Sequence, residues 1–288
     1  MALIEITSSL GFHPKISLAS SSGCSVQARS YTDDSAAVKK DNLARQQWGR
    51  VKPRSPVNNS PKTKRALCIG LSYEGKEHEL PGCHKDAIRF ATALRVYAGY
   101  EDTELLLNEA ATVANVTASL RRHLSHASTR NCEEVCCFFS GHGYQVKERV
   151  AGSEANGKDQ VIICSDGYLR DDHINQIILS CHPGCRVVCV FDCCTSGTVS
   201  DLPIMGQEGF YGDQRKPIVC VAAAEDGKTA LQIGGEGILT KYLIKNVLRG
   251  SKSLKKIHRK KLKNHQHIII TGTAVGHEEK IFAPPQTE

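Results

Sequence analysis

From residue 65 onward, short unbroken apolar runs alternate with stretches of helical periodicity. The runs are Ala66–Leu71, Leu105–Leu107, Val135–Phe139, Val161–Cys164, Val187–Phe191, Ile218–Ala222 and Ile268–Ile270. Runs this short, bounded by polar and glycine-containing segments, are the mark of buried strands. Between them, residues 84–98 place Ala87, Phe90, Ala91 and Leu94 on one helical face, and residues 112–127 do the same with Val113, Val116, Leu120 and Leu124. Further helices are predicted over 171–180, 237–249 and, strongly basic, 252–263. Strands alternating with helices imply an α/β fold around a largely parallel sheet. There is no internal repeat.

Residues 1–64 break this pattern. They are rich in Ser, Asn, Lys and Arg, carry Pro53, Pro56 and Pro61, and show no sustained apolar period, so they read as a flexible leader. The lone Trp48 in that stretch is expected to be solvated or locally packed. The charge is equally uneven. The leader holds ten Lys/Arg against four acids and residues 249–267 hold eight against none, whereas residues 65–248 hold 18 against 23. Basic flanks suit an anionic surface or simply solvation. The 249–267 segment is mostly Lys with no aromatic residue, unlike a single-strand reader, so nucleic-acid binding is not expected.

No run of about 18 apolar residues marks a membrane span. Met1–Leu10 carries Glu5 and lacks a basic start, which makes a poor secretory signal. Residues 6–30, rich in Ser with Lys15 and Arg29, are compatible with a mitochondrial presequence. The 13 cysteines are odd in number, and Cys68, Cys136, Cys137, Cys189 and Cys220 fall inside apolar runs, where a thiol behaves as a small hydrophobe. Cys181 and Cys185 have the close spacing of zinc ligands but no second pair. Reduced thiols in a reducing compartment follow, with the cytoplasm as the expected location and the nucleus or mitochondrion as alternatives.

Two of the predicted strands end in residues capable of chemistry, and in open α/β sheets function gathers outside the carboxyl ends of strands. One runs into Ser140-Gly141-His142-Gly143, the other into Asp192-Cys193-Cys194-Thr195-Ser196-Gly197. A nucleophilic Cys needs a base or cation to hold it as thiolate, which a His at a neighbouring strand end supplies. The backbone amides of the turn after the cysteine offer an oxyanion site. The plainer alternative is a packed or solvated His and Cys at two strand ends.

These residues resemble the metacaspases. Phe138-Phe139-Ser140-Gly141-His142-Gly143 is similar to their histidine motif and Phe191-Asp192-Cys193-Cys194-Thr195-Ser196-Gly197-Thr198 to their cysteine motif. Arg65–Gly70 with Leu80-Pro81-Gly82-Cys83-His84-Lys85-Asp86-Ala87 resembles the opening strand, loop and helix, and Asp201-Leu202-Pro203 follows the cysteine as in the family. The resemblance runs from about residue 64 to the C-terminus and is strongest over 65–203. It implies a caspase-like fold, a central, mainly parallel β-sheet flanked by helices on both faces. It also implies a peptidase domain at 65–288, with a large-subunit-like part at about 65–203 and a small-subunit-like part at about 218–288.

For activity it implies a cysteine endopeptidase with His142 as general acid/base and Cys194 as nucleophile, the register against Ser196-Gly197 selecting Cys194 over Cys193. The family's specificity pocket maps onto Cys83, Asp86, Ser140 and Asp192, and two carboxylates in one pocket suit an Arg or Lys side chain. Asp86 as a surface helix acid and Asp192 as a turn former are the plainer alternatives. The chemistry requires no cofactor. Calcium is the implied activator, with Asp166, Asp171, Asp172 and Asp201 as its implied ligands, a set of oxygens that a hard cation requires. Asp171 and Asp172 also begin a helix, where acids serve as caps. The implied partners are protein substrates with exposed Arg or Lys sites, and the implied state is a monomer.

The chain departs from the pattern in three places. Thr195 replaces the His usual after the nucleophile. An acidic Asp-Gly-Asp-Glu stretch expected after the catalytic His is absent, residues 147–157 reading Lys-Glu-Arg-Val-Ala-Gly-Ser-Glu-Ala-Asn-Gly. The connection at about 204–217 is short, with Arg215 and Lys216 as its only basic residues for self-cleavage. These departures also fit a catalytically weak or inactive caspase-like protein that binds or regulates an active relative.

Overall fold

The apolar run that begins at Ala66 is the middle of strand β1, Thr63–Gly70. Its side chains alternate between two cores, Ala66 and Cys68 facing one and Leu67 and Ile69 the other. That is why the run is apolar throughout: a strand covered on both faces has no side to turn to water. Strand β7, Arg186–Asp192, repeats the arrangement, with Val188 and Val190 in the first core and Val187, Cys189 and Phe191 in the second. The computed structural model describes residues 63–148, 158–194, 217–223, 235–250, 252–258, 260–262, 267–273 and 280–282. All belong to the second of the chain's two units, Asn59–Glu288.

Among the described residues the main sheet has six strands in the order β2-β1-β3-β7-β8-β9. Here β2 is Asp102–Leu107, β3 Cys132–Ser140, β8 Ile218–Ala222 and β9 Ile269–Thr273. All neighbours are parallel except β8 and β9. Helix α1, Cys83–Ala98, packs on the first core through Ala87, Phe90, Ala91 and Leu94, with Phe90 stacked on Phe138 at 4.3 Å. It ends at Gly99, whose left-handed backbone (φ 74°) returns its N–H to the Leu94 carbonyl. Helices α2, Val113–Leu124, and α4, Asp171–Leu179, cover the opposite face. The expected mainly parallel sheet with helices on both faces is therefore what the chain forms.

Several elements differ from expectation. The helix expected over 112–127 breaks at Ser125, whose extended backbone and hydroxyl cap a separate turn, α3, His126–Thr129. The run at 161–164 is not a core strand of the main sheet. It ends β5, Lys158–Ile163, the middle of a separate antiparallel sheet with β4, Gly143–Lys147, and β6, Tyr168–Arg170. Strands β4 and β6 are short and half exposed, too brief to show a period. The helix predicted at 237–249 is α-helical only over α5, Ile238–Leu243, and continues as a π-helical turn, Ile244–Leu248. The basic helix expected over 252–263 is one turn, α6, Leu254–Ile257. Leu254 and Ile257 are fully buried in the first core, and Lys261 then bridges to His267. Packing of two apolar anchors, rather than helical propensity of the lysines, fixes this segment.

Every described cysteine is a free thiol. No helix among the described residues is long and apolar enough to cross a membrane. Residues 1–62 of the leader, Trp48 among them, and residues 204–216 of the connection lie outside the described residues. The last two leader residues, Thr63 and Lys64, already open β1, which starts two residues before the expected Arg65.

Candidate active site

Strand order sets where the site lies. The chain steps from β1 outward to β2, then crosses back over β1 to β3 and goes on to β7 and β8 on the other side. The sheet therefore has its switch point between β1 and β3, and crevices open there at the carboxyl ends. The ends of β1, β3 and β7 are neighbours, with Gly70 paired to Ser140 and Ser140 to Asp192. His142 stands two residues beyond Ser140 and Cys194 two beyond Asp192.

Both glycines around His142 have a spatial reason. A Cβ at position 141 would stand 2.8 Å from the Tyr73 hydroxyl and 2.9 Å from the Phe139 ring. A Cβ at position 143 would overlap the Cys194 carbonyl and lie 3.0 Å from the Cys193 sulfur. The His142 loop thus lies against the Cys193-Cys194 backbone. Cys193 is buried in the second core and Cys194 is partly exposed. Of two adjacent thiols, only the second is open to a substrate.

His142 Nε2 lies 2.7 Å from the His78 carbonyl oxygen. A carbonyl can only accept, so Nε2 carries the proton and, in the neutral ring, Nδ1 carries the lone pair. Burial lowers the His142 pKa from its ordinary 6.5; the bond to the His78 carbonyl opposes this and the nearby His78 ring reinforces it. At neutral pH the ring is therefore an uncharged base with a fixed tautomer.

The four expected pocket residues gather nearby. Cys83 opens helix α1 and is buried. Asp86, one turn on, is 1% exposed rather than a surface acid. Its Oδ2 accepts from the Gly237 N–H at 2.8 Å and its Oδ1 from Arg89 Nη2 at 2.7 Å. Asp192 is likewise buried, its Oδ2 accepting from the Thr240 N–H at 3.0 Å and the Thr240 hydroxyl at 2.6 Å. The two carboxylates meet at Gly237, where a Cβ would overlap Asp192 Oδ2 and crowd Asp86 Oδ2. Burial pushes the Asp192 carboxyl up to about 6, with the Asp86 charge adding to the rise and the Thr240 bonds opposing it. Burial also raises Asp86, against its bonds to Gly237 and Arg89. Ser140 is 1% exposed and its hydroxyl has no hydrogen-bond partner. A buried hydroxyl left unpaired costs about 1–3 kcal/mol, a cost that a ligand reaching it would remove.

The expected calcium residues are arranged differently. Asp166 Oδ1 accepts from the Val113 N–H at 2.8 Å, at the start of α2. Buried Asp171 spends Oδ2 on the Gln160 N–H at 2.7 Å and Oδ1 on the Asp172 N–H at 3.0 Å. Asp172 faces solvent. Among the described residues no group of three or more His, Cys, Asp or Glu side chains gathers as a metal site. Asp201 lies outside the described residues, as do Thr195–Gly197 and residues 149–157 of the altered loop.

Sequence reasoning missed Tyr73, His78, Arg89, Glu236 and Thr240. Arg89 Nη1 holds Glu236 at 2.8 Å, and Lys241 Nζ holds the same carboxylate at 2.6 Å. The helical spacing of Asp86 and Arg89 signalled their pair. Nothing local signalled the others, which arrive from separate parts of the chain.

Residues 64–203 match the family model described as metacaspase, peptidase C14 domain. Among curated proteins, Metacaspase III c of Phaeodactylum tricornutum is 34% identical over 153 residues, 49% of this chain and 45% of that protein. Metacaspase-1B of Aspergillus fumigatus is 30% identical over 214 residues, 69% of this chain and 51% of that protein. The chain spans about half the length of the curated relatives it matches. Among solved structures, a Geobacter sulfurreducens protein aligns with a TM-score of 0.60 at 19% identity, over 78% of this chain and all of that one. Caspase-1 from Spodoptera frugiperda aligns with a TM-score of 0.53 at 10% identity, over 82% of this chain and 99% of that one. At such identities the two structures speak for the fold alone, which is caspase-like.

Proposed function

Residues 64–203 are a metacaspase-family peptidase domain, and on that premise we propose that the chain is a cysteine endopeptidase with a His142–Cys194 dyad that cleaves after Arg or Lys. The observation that carries this reading is the meeting of the strand ends: the loop holding His142 lies against the backbone of Cys194, across paired strands β3 and β7. His142 Nδ1 takes the Cys194 proton, and the sulfur adds to the scissile carbonyl carbon to form a tetrahedral intermediate. The imidazolium returns the proton from that same nitrogen to the amine as the C–N bond breaks, leaving a thioester. Water, deprotonated by the restored base, hydrolyses the thioester and frees Cys194. The His78 carbonyl holds the ring in the required tautomer throughout and stabilises its charged form.

The preference for a basic side chain rests on Asp86 and Asp192, both buried and convergent, with Ser140 offering an unpaired hydroxyl beside them. Each carboxylate retains acceptor capacity beyond the bonds it already makes, and two buried negative charges favour a guanidinium or ammonium over a carboxylate. Calcium is carried by the family resemblance. Asp166 and Asp171 already accept from backbone N–H groups and Asp172 faces solvent, an arrangement that does not fit a cation cage, so no step is routed through calcium.

Fluorogenic peptides ending in Arg, Lys or Asp, assayed beside Cys194→Ala, test the reading. Cleavage after Arg and Lys that disappears in the variant is expected. Cleavage after Asp would keep the dyad and overturn the pocket. Folded protein that cleaves none of the three would favour the regulatory, inactive alternative.

A further inference from the structure

We propose that Tyr73 is a positioning residue for His142, its hydroxyl inserted into the strand pairing so that the imidazole is held where it can act. This rests on the assignment of His142 as the catalytic base. Strands β4 and β5 pair antiparallel with Gly143 opposite Ile162, which sets His142 opposite Ile163. A hydrogen-bonded antiparallel pair exchanges two bonds. One is present, the Ile163 N–H donating to the His142 carbonyl at 2.9 Å. The second is replaced by the phenol. The His142 N–H donates to the Tyr73 hydroxyl at 3.0 Å, and that hydroxyl donates to the Ile163 carbonyl at 2.7 Å. Three residues thus close a ring of three hydrogen bonds, and the ladder opens by the width of one oxygen at the residue that bears the base. The Tyr73 ring also lies against the imidazole, centroids 4.7 Å apart.

Tyr73 reaches this position at a backbone cost. Its φ is 53°, in the left-handed region that a bulky residue avoids. Strain of this kind persists only where the surroundings over-determine it, and Ser72 provides the restraint. The Ser72 N–H donates to Asn108 Oδ1 at 2.9 Å, its carbonyl accepts from the Leu80 N–H at 2.8 Å, and its hydroxyl meets His84 Nδ1 at 2.7 Å. Burial drives the phenol's pKa upward, so the hydroxyl stays protonated and able to donate and accept at once. Gly141 completes the arrangement, since a side chain there would occupy the space the hydroxyl needs.

Tyr73→Phe keeps the ring and removes only the inserted oxygen. With His142 free to close onto Ile163, its bond to the His78 carbonyl weakens, and with it a contact that favours the protonated ring. For an Arg peptide, kcat is expected to fall at least tenfold with KM within twofold, and the acid limb of kcat/KM to move to lower pH. If the residual rate is too low, the pH dependence of Cys194 alkylation by iodoacetamide reads the same limb. Gly141→Ala, which displaces the hydroxyl with Tyr73 intact, gives the same signature and serves if Tyr73→Phe does not fold. An unmoved pH limb, with kcat unchanged or lowered only alongside Tm, overturns the proposal. Inactive His142→Ala with unaltered Tyr73→Phe removes the Tyr73 role alone. Fully active His142→Ala removes both the dyad and the role built on it.

Discussion

Two sets of aspartates are expected to form sites, and the fold treats them differently. Asp86 and Asp192 come from positions more than a hundred residues apart, yet both are buried and both reach Gly237 at the start of α5. Asp166, Asp171 and Asp172 are close in sequence, yet they disperse: one caps α2, one ties β5 to α4, and one faces solvent. Closeness in sequence is therefore a poor guide to a shared site. Carboxylates converge when strand ends bring them together and backbone amides share the cost of burying them. They disperse when nearby helix termini offer N–H groups first.

The largest effect expected from this contrast is at Asp86. Asp86→Asn keeps the shape and removes a charge the basic side chain needs, so kcat/KM for Arg peptides should fall by about 100-fold, near 3 kcal/mol, within the range for breaking a buried charge pair. A preference for Arg and Lys that survives the substitution would detach the two carboxylates from specificity.

A smaller and two-sided effect is expected at Asp192. Its carboxyl is raised from an ordinary value near 3.8 to about 6. The folded state therefore holds this proton more tightly than the unfolded chain, and stability falls as pH rises between those values and stays lower above them. Asp192→Asn removes that cost, about 2–3 kcal/mol at pH 8 from the size of the shift, and should raise Tm there while leaving it unchanged near pH 3. The same variant should lose activity on basic peptides. In the unaltered protein, KM for an Arg peptide should climb as pH falls through about 6. A Tm unchanged at pH 8 would place the ionised Asp192 in a less costly environment than its burial implies.

The smallest effects belong to the dispersed set. Asp166→Ala removes an acceptor at the start of α2 and should cost about 1 kcal/mol of stability, seen as a lower urea midpoint, with KM unchanged. Activity titrated with calcium, and with a chelator, should respond alike in Asp166→Ala and the unaltered protein. A calcium response abolished by Asp166→Ala would mean that this residue serves a cation after all and would erase the contrast between the two sets.

Much of this was legible from the order of residues alone. The doubly buried strands β1, β3 and β7 read correctly because their runs are long and without polar interruption. The shorter run Leu105–Leu107 became a half-exposed edge strand, and the run at 161–164 joined the small sheet. His142 and Cys194 could be singled out because each follows such a strand, and the glycines beside His142 marked close approach before the approaching groups were known. The small antiparallel sheet was hidden because β4 and β6 are too short to display a period. The basic segment after residue 252 read as a helix because its spacing allowed one, while two buried anchors and a bridge to His267 decided otherwise.

The sequence by itself determined the parallel α/β sheet and the residues at its strand ends, because burial on both faces and the turn out of a strand leave local marks. Tertiary structure alone decided which carboxylates meet, which histidine nitrogen bears the proton, and that a strained tyrosine stands between His142 and Ile163. Those facts depend on atoms brought together from distant parts of the chain, and their energies come from shared burial and hydrogen bonds that no local pattern encodes.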